Sequence, residues 1–372
     1  MASSWGEQLK ITVFGESHGP AIGVVIDGVP AGEKLDLEAL QDFMKRRAPG
    51  RTPWSTARTE GDVPSVLSGL YQGQTTGTPL SIVIENKDAR SKDYDQTLKL
   101  PRPSHADYTG MMRYSGAADP RGGGHFSGRL TAPLCAAGAI CKQMLERRGI
   151  EIFAHIAELG GVKDGILDTA NPNRQALATL PTKALPVLDD AKGEEMVRLI
   201  EHVQEQGDSL GGVVQCIVLG LPAGLGDPMF GGVESCLASL LYGIPAVKAV
   251  SFGDGYAACR RKGSEHNDPF CLSPENQVRT LTNHEGGVNG GITNAMPLVF
   301  QVGIKPTSSI GLPQRSVNLE TMLEETILIT GRHDPAIAPR AVVAVEAAAA
   351  IAMMDLMLVA FGVQGWGGGS HA

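Results

Sequence analysis

The sequence predicts an α+β fold in which a central layer of buried helices lies between two largely antiparallel sheets. Two stretches, 129–148 and 340–360, are helical in pattern and apolar all round, so they must be covered on more than one face. Strand-like runs are irregularly spaced, and several neighbours are joined by short turns, which favours antiparallel pairing over a regular βαβ winding. No linker divides the chain, so we expect a single domain over residues 1–372.

The strand predictions rest on β-branched and apolar runs that are bounded by turn residues. In chain order they cover residues 9–14, 21–27, 81–85, 212–219, 246–252, 298–304 and 325–330. The first two runs are separated by six residues that include two glycines and a proline, so we expect them to pair as strand, turn and strand.

The helix predictions rest on apolar residues spaced three and four apart, with capping residues at the ends. Asp36 is the predicted N-cap of a helix that stops before Pro49. Further helices are predicted at 129–148, 194–206, 233–242 and 341–361. Asp334 and Pro335 are the candidate N-cap and first residue of the last helix. Beyond it, the glycine-rich stretch 365–372 predicts a flexible tail.

The composition describes an acidic protein that carries a local basic cluster. Hydrophobic residues make up 42% and charged residues 19%, which is ordinary for a globular protein with a sizeable core. The net charge of −8 argues against nucleic-acid binding, which normally needs a basic face. The clustered arginines are Arg46, Arg47, Arg51 and Arg58, followed by Arg102, Arg113, Arg121 and Arg129. Because guanidinium groups bind phosphate and carboxylate in a bidentate manner, this pattern favours a small anionic ligand.

The sequence carries no pattern typical of secretion, metal binding or a membrane span. Its six cysteines lack paired spacing, so we expect reduced thiols and no metal site. No basic segment with a continuous apolar core opens the chain, which predicts a cytoplasmic protein. The apolar segment 341–361 contains Glu346 and Asp355, so we expect a buried helix and no membrane partner.

The turn Gly15-Glu16-Ser17-His18-Gly19 places a carboxylate, a hydroxyl and an imidazole directly after a strand. Its letters also satisfy Gly-x-Ser-x-Gly, the nucleophile elbow of α/β-hydrolases. An elbow needs a strand, a sharp turn and then a helix, whereas a second strand follows here. A serine hydrolase with Ser17 as nucleophile is therefore the disfavoured alternative, and His18 becomes the more informative residue.

Four further polar clusters interrupt the apolar pattern. Residues 102–108 offer a second imidazole, His105, beside Asp107, a carboxylate that could orient it. Residues 119–129 form a glycine loop ahead of a helix, where backbone N–H groups can receive an anion. Residues 283–294 are too poor in large side chains to form a core. Residues 305–309 place one cation and three hydroxyls after a strand, a plausible phosphate cradle.

Together these motifs closely resemble the chorismate synthase family, from about residue 9 to about residue 360. In chain order the matching motifs are Gly15-Glu16-Ser17-His18-Gly19, Asp27-Gly28-Val29-Pro30, Arg46-Arg47-x-Pro49-Gly50, Pro103-x-His105-Ala106-Asp107, Lys305-Pro306-Thr307 and Gly331-Arg332-His333-Asp334-Pro335. The resemblance implies a lyase of the shikimate pathway that removes phosphate from 5-enolpyruvylshikimate 3-phosphate by 1,4-anti elimination, using reduced FMN with no net redox change. It also implies a homotetramer of β-α-β sandwich subunits.

The resemblance further implies a role for each matching residue. His18 would protonate the departing phosphate, with Ser17 hydrogen-bonding nearby; His105 would stabilise the reduced flavin; and Asp334 would accept the flavin N5 proton. The implied substrate-binding residues are Ser17, Arg46, Arg47, Arg51, Arg129 and Arg332. The implied FMN-binding residues are Ser127, Asn294, Lys305, Thr307, Ser308 and Ser309. No dinucleotide fingerprint follows a strand, so we expect an external flavin reductant, with NADP as the associated nucleotide.

The chain departs from the family pattern in the glycine loop, and other interpretations of the motifs stay open. His125 and Leu130 stand where an arginine and a glutamate are expected, so we give His125 no charge role. His18 could merely close a hairpin, His105 could be a loop histidine satisfied by Asp107, and Asp334 could be only a cap. A flavin- or anion-binding module without turnover would keep the cations but would not need both histidines.

Overall fold

The computed structural model describes residues 3–50, 52, 54, 61–87, 99–329 and 334–366. The strands in this part of the chain are β1 (Ser4–Trp5), β2 (Lys10–Gly15), β3 (Ala21–Asp27), β4 (Ser65–Ser68), β5 (Leu70–Tyr71), β6 (Gln74–Thr75), β7 (Leu80–Glu85), β8 (Glu151–Leu159), β9 (Val162–Lys163), β10 (Gly212–Leu219), β11 (Val247–Phe252), β12 (Phe270–Leu272), β13 (Val278–Thr280), β14 (Val288–Asn289), β15 (Ile292–Thr293), β16 (Leu298–Ile304), β17 (Gln314–Asn318) and β18 (Leu323–Ile327). The α-helices are α1 (Leu37–Arg47), α2 (Asp107–Arg113), α3 (Thr131–Glu146), α4 (Arg174–Thr179), α5 (Asp190–Glu205), α6 (Val233–Leu241), α7 (Gly263–His266) and α8 (Ala338–Trp366).

Two five-stranded antiparallel sheets form the outer layers. The first has the strand order β1-β2-β3-β7-β4, and the second has the order β11-β16-β10-β8-β9. In the first sheet β2 pairs with β3 from Lys10 opposite Asp27 to Gly15 opposite Ile22. The predicted strand, turn and strand around residues 15–20 is thus confirmed, and the turn projects from one end of this sheet.

The middle layer contains α3 and α8, which pack on each other. Helix α3 contacts β3 and β7 of the first sheet, whereas α8 contacts β8 and β10 of the second. Their backbones approach so closely that a β-carbon at Gly138 would overlap Ala347. Small residues therefore set the thickness of this layer, and the predicted β-α-β sandwich is confirmed.

Helix α8 is long and apolar enough to cross a membrane by length and composition, but it is the core of the sandwich. Within 338–363 the most apolar window is 94% buried inside the molecule. Its two acidic residues are both satisfied there. Glu346 binds the guanidinium of Arg46, and Asp355 accepts hydrogen bonds from three consecutive backbone N–H groups at residues 7–9, at 2.8–2.9 Å. The carboxylates are thus compensated as buried charges must be.

Several local predictions hold, and others need correction. Asp36 caps α1 by accepting from the N–H groups of Glu38 and Ala39 at 2.9 and 3.0 Å. The strands predicted at 21–27, 212–219 and 298–304 have those bounds. Helix α5 begins four residues earlier than predicted, because Asp189 and not a later residue is its N-cap.

The predicted start of α8 is wrong. The helix begins at Ala338, not at Pro335, because the preceding segment is held by other contacts. Leu210 N donates to Pro335 O at 2.7 Å, and the carboxylate of Asp334 binds the guanidinium of Arg340. Asp334 is therefore not the helix cap.

At its other end α8 includes the first two residues of the predicted tail. Trp366 is buried, and its indole N–H donates to Glu33 at 2.7 Å. Residues 367–372 lie outside the described part of the chain.

Candidate active site

A cleft of about 890 Å³ opens between the loops of the first sheet and those of the second. Its described lining contains seven lysine or arginine residues but a single carboxylate, that of Asp334. The cations are Arg47, Arg102, Arg113, Arg129, Lys248, Lys305 and Arg340. On a chain with a net charge of −8, this concentration of cations makes the cleft the natural place for a small polyanion.

The turn between β2 and β3 carries Ser17 and His18, which lie behind the cleft wall. Neither is in the described lining, but a β-carbon on Gly122, which does line the cleft, would overlap His18 Cε1 and lie 2.6 Å from Ser17 Oγ. Ser17 Oγ lies 2.7 Å from His18 Nδ1, and both side chains are buried. The turn is fixed by Asn86, whose amide donates to the carbonyls of Glu16 and Gly19 at 3.0 and 2.9 Å. The hydroxyl of Ser17 thus holds Nδ1 of the His18 imidazole and fixes the orientation of the ring.

His105 is held on the neighbouring segment by a carboxylate. Its Nδ1 lies 2.6 Å from Asp107 Oδ1 and 3.1 Å from a guanidinium nitrogen of Arg102. We assign the Nδ1 proton to the shorter contact, with Asp107 as acceptor. Burial alone would raise the pKa of Asp107, but hydrogen bonds from Arg102 and His105 hold this pKa well below its usual range. Asp107 is therefore a permanent anion that orients His105, as the sequence predicts.

The glycine loop brings the two histidines together. A β-carbon on Gly122 would overlap the imidazole of His18, and one on Gly123 would lie 3.1 Å from His105 Cε1. Gly122, Gly123 and Gly124 have φ values of 62°, 91° and 52°, a backbone conformation that other residues rarely adopt. Two consecutive glycines thus allow both imidazoles to close on the same short loop.

Arg47 and Arg129 share one buried carboxylate, that of Asp62. Arg47 lies 2.5 Å from Asp62 Oδ2, and Arg129 binds Asp62 Oδ1. Burial alone would raise the pKa of Asp62, but the two guanidinium groups overcome this effect and hold the pKa below its usual range. Asp62 does not line the cleft, whereas both arginines do. It therefore fixes the two arginines from behind.

Four of the predicted substrate-binding residues are not seen in the described lining of the cleft, and Ser17 is one of them. Arg46 is absent from its described lining and forms a bidentate pair with Glu346 at 2.6 and 2.8 Å. Arg51 and Arg332 lie outside the described residues. Their roles stay predictions.

The opposite wall of the cleft carries the predicted phosphate cradle. Lys305, Thr307, Ser308 and Ser309 all line it, as does Ser127 from the glycine-loop side. Lys305 donates to Ser104 O at 2.6 Å. Its pKa is lowered by burial and, secondarily, by the nearby charge of Lys248. Two neighbouring ammonium groups that repel each other are poised to receive an anion.

Asp334 and Asn294 differ in where the structure places them. Asp334 lies in the cleft wall, where its carboxylate binds Arg340 at 2.5 Å and its carbonyl accepts from Thr307 Oγ1 at 3.0 Å. Asn294 directly follows β15 of the small β14–β15 sheet, and its amide donates to Asn289 Oδ1 at 2.6 Å. Asn294 does not line the described cleft, so its cofactor role stays a prediction.

Comparison with known proteins identifies the family. A model of the chorismate synthase family matches residues 9–358. This chain belongs to the chorismate synthase family. Chorismate synthases from Dehalococcoides mccartyi and Aeropyrum pernix are 45% and 43% identical to it, each over 96% of this chain and over 97% and 93% of their own lengths. The enzyme from Korarchaeum cryptofilum is 42% identical over 94% of this chain and 96% of its own.

A crystal structure of chorismate synthase agrees in fold. It superposes with a TM-score of 0.76 at 27% identity, over 96% of this chain and 94% of the other. The resemblance found in the sequence is thus confirmed. The serine hydrolase alternative is not favoured, since a strand and not a helix follows Ser17.

Sequence reasoning missed three residues that line or support this chorismate synthase cleft. Asp62 carries no motif of its own, so only the fold shows that it joins two distant arginines. Lys248 and Arg340 also line the cleft. Each is a single cation in an otherwise apolar segment, and this unusual position is the signal by which the sequence could have revealed them. His125 lines the cleft as well, but both its ring nitrogens are engaged, with Gly15 O at 2.8 Å and Ser3 Oγ at 2.9 Å.

Proposed function

We propose that this chain eliminates phosphate from 5-enolpyruvylshikimate 3-phosphate to give chorismate, a carbon–oxygen lyase reaction that uses reduced FMN. Membership of the chorismate synthase family supports the reaction. The observation that carries it is the pair of oriented imidazoles on one glycine loop: His105 lines a cleft that contains seven cations, and His18 packs directly behind Gly122 in the wall of that cleft. This arrangement supplies proton donors beside a site for a highly charged anion.

The cleft has the size and the donor set that FMN requires. Its volume of about 890 Å³ is near the upper end of the usual range of roughly 300–1,000 Å³ for ligand pockets. Lys305, Lys248 and the hydroxyls of Thr307, Ser308 and Ser309 would hold the FMN phosphate. When bound, reduced FMN supplies electron density that the substrate takes up transiently and returns, so that no net oxidation occurs.

His18 acts as the general acid for the departing phosphate. The hydroxyl of Ser17 lies 2.7 Å from Nδ1, and in the protonated ring it accepts from Nδ1–H and fixes the orientation of the ring. The second nitrogen, Nε2, is then the one that delivers its proton to the phosphate oxygen. Ser17 is a positioning residue in this scheme.

His105 is placed on the flavin side of the cleft. The carboxylate of Asp107 accepts from its Nδ1 at 2.6 Å and holds the ring in place. Nε2 of the same ring is directed away from Asp107, toward the loop that carries Gly123. Asp107 thus sets the orientation of His105.

The remaining residues bind charge and hold one proton acceptor. Arg47 and Arg129, aligned by Asp62, bind the phosphate or carboxylates of the substrate. Asp334 is the proposed proton acceptor near the flavin, and Arg340 keeps its carboxylate fixed in the cleft wall. We further propose a cytoplasmic homotetramer that receives reduced FMN from an external reductant, on the basis of family membership.

The test is anaerobic incubation of the purified protein with 5-enolpyruvylshikimate 3-phosphate and dithionite-reduced FMN, with phosphate and chorismate measured together. We expect His18→Ala and His105→Ala to lower turnover by about 10²–10⁴-fold, the usual contribution of a general acid or base. His202→Gln is the matched control, because His202 is an exposed helix histidine bonded to Gln206. Full turnover in His18→Ala or in His105→Ala would remove the substituted histidine from the mechanism.

Two other outcomes would change the proposal. Binding of reduced FMN without phosphate release would favour the non-catalytic flavin-binding module. Sustained aerobic turnover with NADPH, FMN and the purified protein alone would contradict the external reductant.

A further inference from the structure

Two histidines and an aspartate meet outside the cleft, in the loops beyond β11. Asp254 follows β11, His266 ends α7, and His284 lies in the loop before β14. One potential ligand atom from each lies within 4.8 Å of the other two. None of the three lines the described cleft, so the cluster has no part in the proposed reaction.

Each histidine already uses one ring nitrogen as a donor. His266 Nε2 lies 2.9 Å from Glu285 Oε1, and His284 Nδ1 lies 2.8 Å from the carbonyl oxygen of His266. With protons on those nitrogens, His266 Nδ1 and His284 Nε2 carry lone pairs. Histidines that ligate metals almost always donate their other N–H to a carboxylate or a backbone carbonyl in this way.

Within the described part of the chain, two of the potential ligand atoms lack a hydrogen bond. Asp254 Oδ2 and His266 Nδ1 are shielded from solvent, and neither has a hydrogen-bond partner among the described residues. They lie 3.7 Å apart. Arg261 approaches Asp254 Oδ2 at 2.9 Å but without hydrogen-bond geometry, and its side chain is 34% exposed, so it can turn toward solvent. Leaving such buried atoms unpaired costs free energy that a bound cation would remove.

The backbone around the cluster is fixed independently of any ligand. Asp254 N donates to His284 O at 2.8 Å, which ties the two segments together. Gly253, with φ of 51°, has no room for a β-carbon against that same carbonyl. Asp268 accepts from the N–H groups of His284 and Glu285 at 2.9 and 3.0 Å. The loop that carries His284 is therefore preformed.

We propose that Asp254, His266 and His284 bind a divalent transition-metal ion of the Zn²⁺ type, with water completing a tetrahedral shell. Zinc bonds of about 2.0–2.1 Å place tetrahedral ligand atoms roughly 3.3 Å apart. The 3.7 Å separation of Asp254 Oδ2 and His266 Nδ1 is close to this value, and since all three atoms lie within 4.8 Å of one another, no pair has to close by more than about 1.5 Å. The ion would tie the connection between β11 and β12 to the loop between β13 and β14. Successive ligands are twelve and eighteen positions apart along the chain, a spacing with no metal-motif pattern, so the sequence gives no sign of the site.

The test uses the full-length untagged protein after dialysis against EDTA. We expect one equivalent of Co²⁺ to give the visible absorption of a tetrahedral complex, and one equivalent of Zn²⁺ to displace it and raise the Tm. His266→Asn and His284→Gln should each weaken Zn²⁺ binding in calorimetry by tenfold or more. Glu285→Gln, which changes only the second shell, should weaken it by about 10–100-fold.

Two control variants separate this site from other metal-binding side chains. His202→Gln removes an exposed histidine, and Cys259→Ser removes an exposed thiol; both should keep wild-type affinity. Circular dichroism checks that each variant is folded. Unchanged Zn²⁺ affinity in both His266→Asn and His284→Gln would overturn the proposal. A second result would also overturn it: ¹⁵N NMR spectra that show protons on both ring nitrogens of His266 and no change on addition of Zn²⁺. In that case a proton, and not a metal ion, would lie between His266 and Asp254.

Discussion

Arg46 and Arg47 are adjacent on α1, yet they serve different parts of the molecule. Arg46 points into the helical layer and forms a bidentate pair with Glu346 of α8, a residue 300 positions away. Arg47 lines the cleft and shares Asp62 with Arg129. With 3.6 residues per turn, successive side chains point about 100° apart, which is enough to send one guanidinium into the core and the other into the cleft.

The contrast teaches that one motif can combine a structural charge with a binding charge. The buried pair of Arg46 and Glu346 leaves no space for a ligand between the two side chains, because both terminal guanidinium nitrogens bind the carboxylate. Arg47 donates to Asp62, Thr131 and Gly128 O, and these contacts hold its fork at the cleft wall. A substitution of Arg46 should therefore lower mainly the stability of the fold, whereas a substitution of Arg47 should lower mainly the activity.

The largest effect is expected for the core arginine. Arg46→Met leaves the Glu346 carboxylate buried, with a side chain 1% exposed, and loses its bidentate partner. We expect the free energy of unfolding to fall by about 3–5 kcal/mol, the usual cost of breaking a buried pair. Urea unfolding measures this loss, and kcat/KM per folded molecule should change little.

A second substitution tests the cause of that loss. In Arg46→Met with Glu346→Leu, both charges are replaced by apolar groups, so most of the stability should return. If the double variant stayed as unstable as Arg46→Met, the ion pair would not explain the effect. If Arg46→Met instead abolished substrate binding at full stability, Arg46 would belong to the active site, as the resemblance implies.

A smaller effect is expected for Arg47, the arginine in the cleft. It should appear in the free energy of activation and not in the stability of the fold. Arg47→Lys keeps a cation beside Asp62 but loses the planar fork that binds an anion in a bidentate manner. We expect kcat/KM to fall by about 10²-fold while the Tm shifts little. Steady-state kinetics under anaerobic conditions measure it, with Arg46→Lys as the matched control. Equal losses of activity in the two lysine variants would remove the distinction between the positions.

The smallest effect concerns pH and belongs to the cleft side alone. The pKa of Asp62 is below its usual range in the folded protein because of Arg47 and Arg129, so its ion pairs contribute stability above the unfolded-state pKa of about 3.9. This contribution is lost as pH falls toward the lower, folded-state pKa. Asp62→Asn should therefore be less stable than wild type near pH 7, and the difference should shrink on acidification. Parallel stability curves for the two proteins from neutral pH to below pH 4 would contradict this assignment.

Most of the fold could be predicted from the sequence because its signals are local. Asp36 caps a helix with its own side chain, and the β-branched run at 21–27 needs no distant partner to be read as a strand. The start of α8 was mispredicted for the opposite reason. Asp334 and Pro335 have the residue types of a helix start, but a contact with Leu210, more than a hundred residues earlier, holds the segment out of the helix.

The candidate site was predicted in part. Here too, contacts between residues that are close in the sequence could be predicted, whereas contacts between distant residues could not. His105 and Asp107 are two residues apart, so their pairing is visible in the sequence. The link from Asp62 to Arg129 spans 67 residues and depends on how the first sheet meets α3, which no local pattern encodes. Arg46 shows the limit of motif reasoning, because the motif gives the residue type without the direction of the side chain.

The burial of α8 has a consequence for the kinetics of folding. Its carboxylates bind partners that lie 300 and more than 340 positions away, at Arg46 and at the backbone of residues 7–9. Closing loops of that length costs entropy before any contact repays it, so the layer shared by both sheets cannot form early from local structure. We therefore expect slow folding through intermediates whose sheets expose apolar faces, and aggregation of those intermediates in competition with docking of the helix.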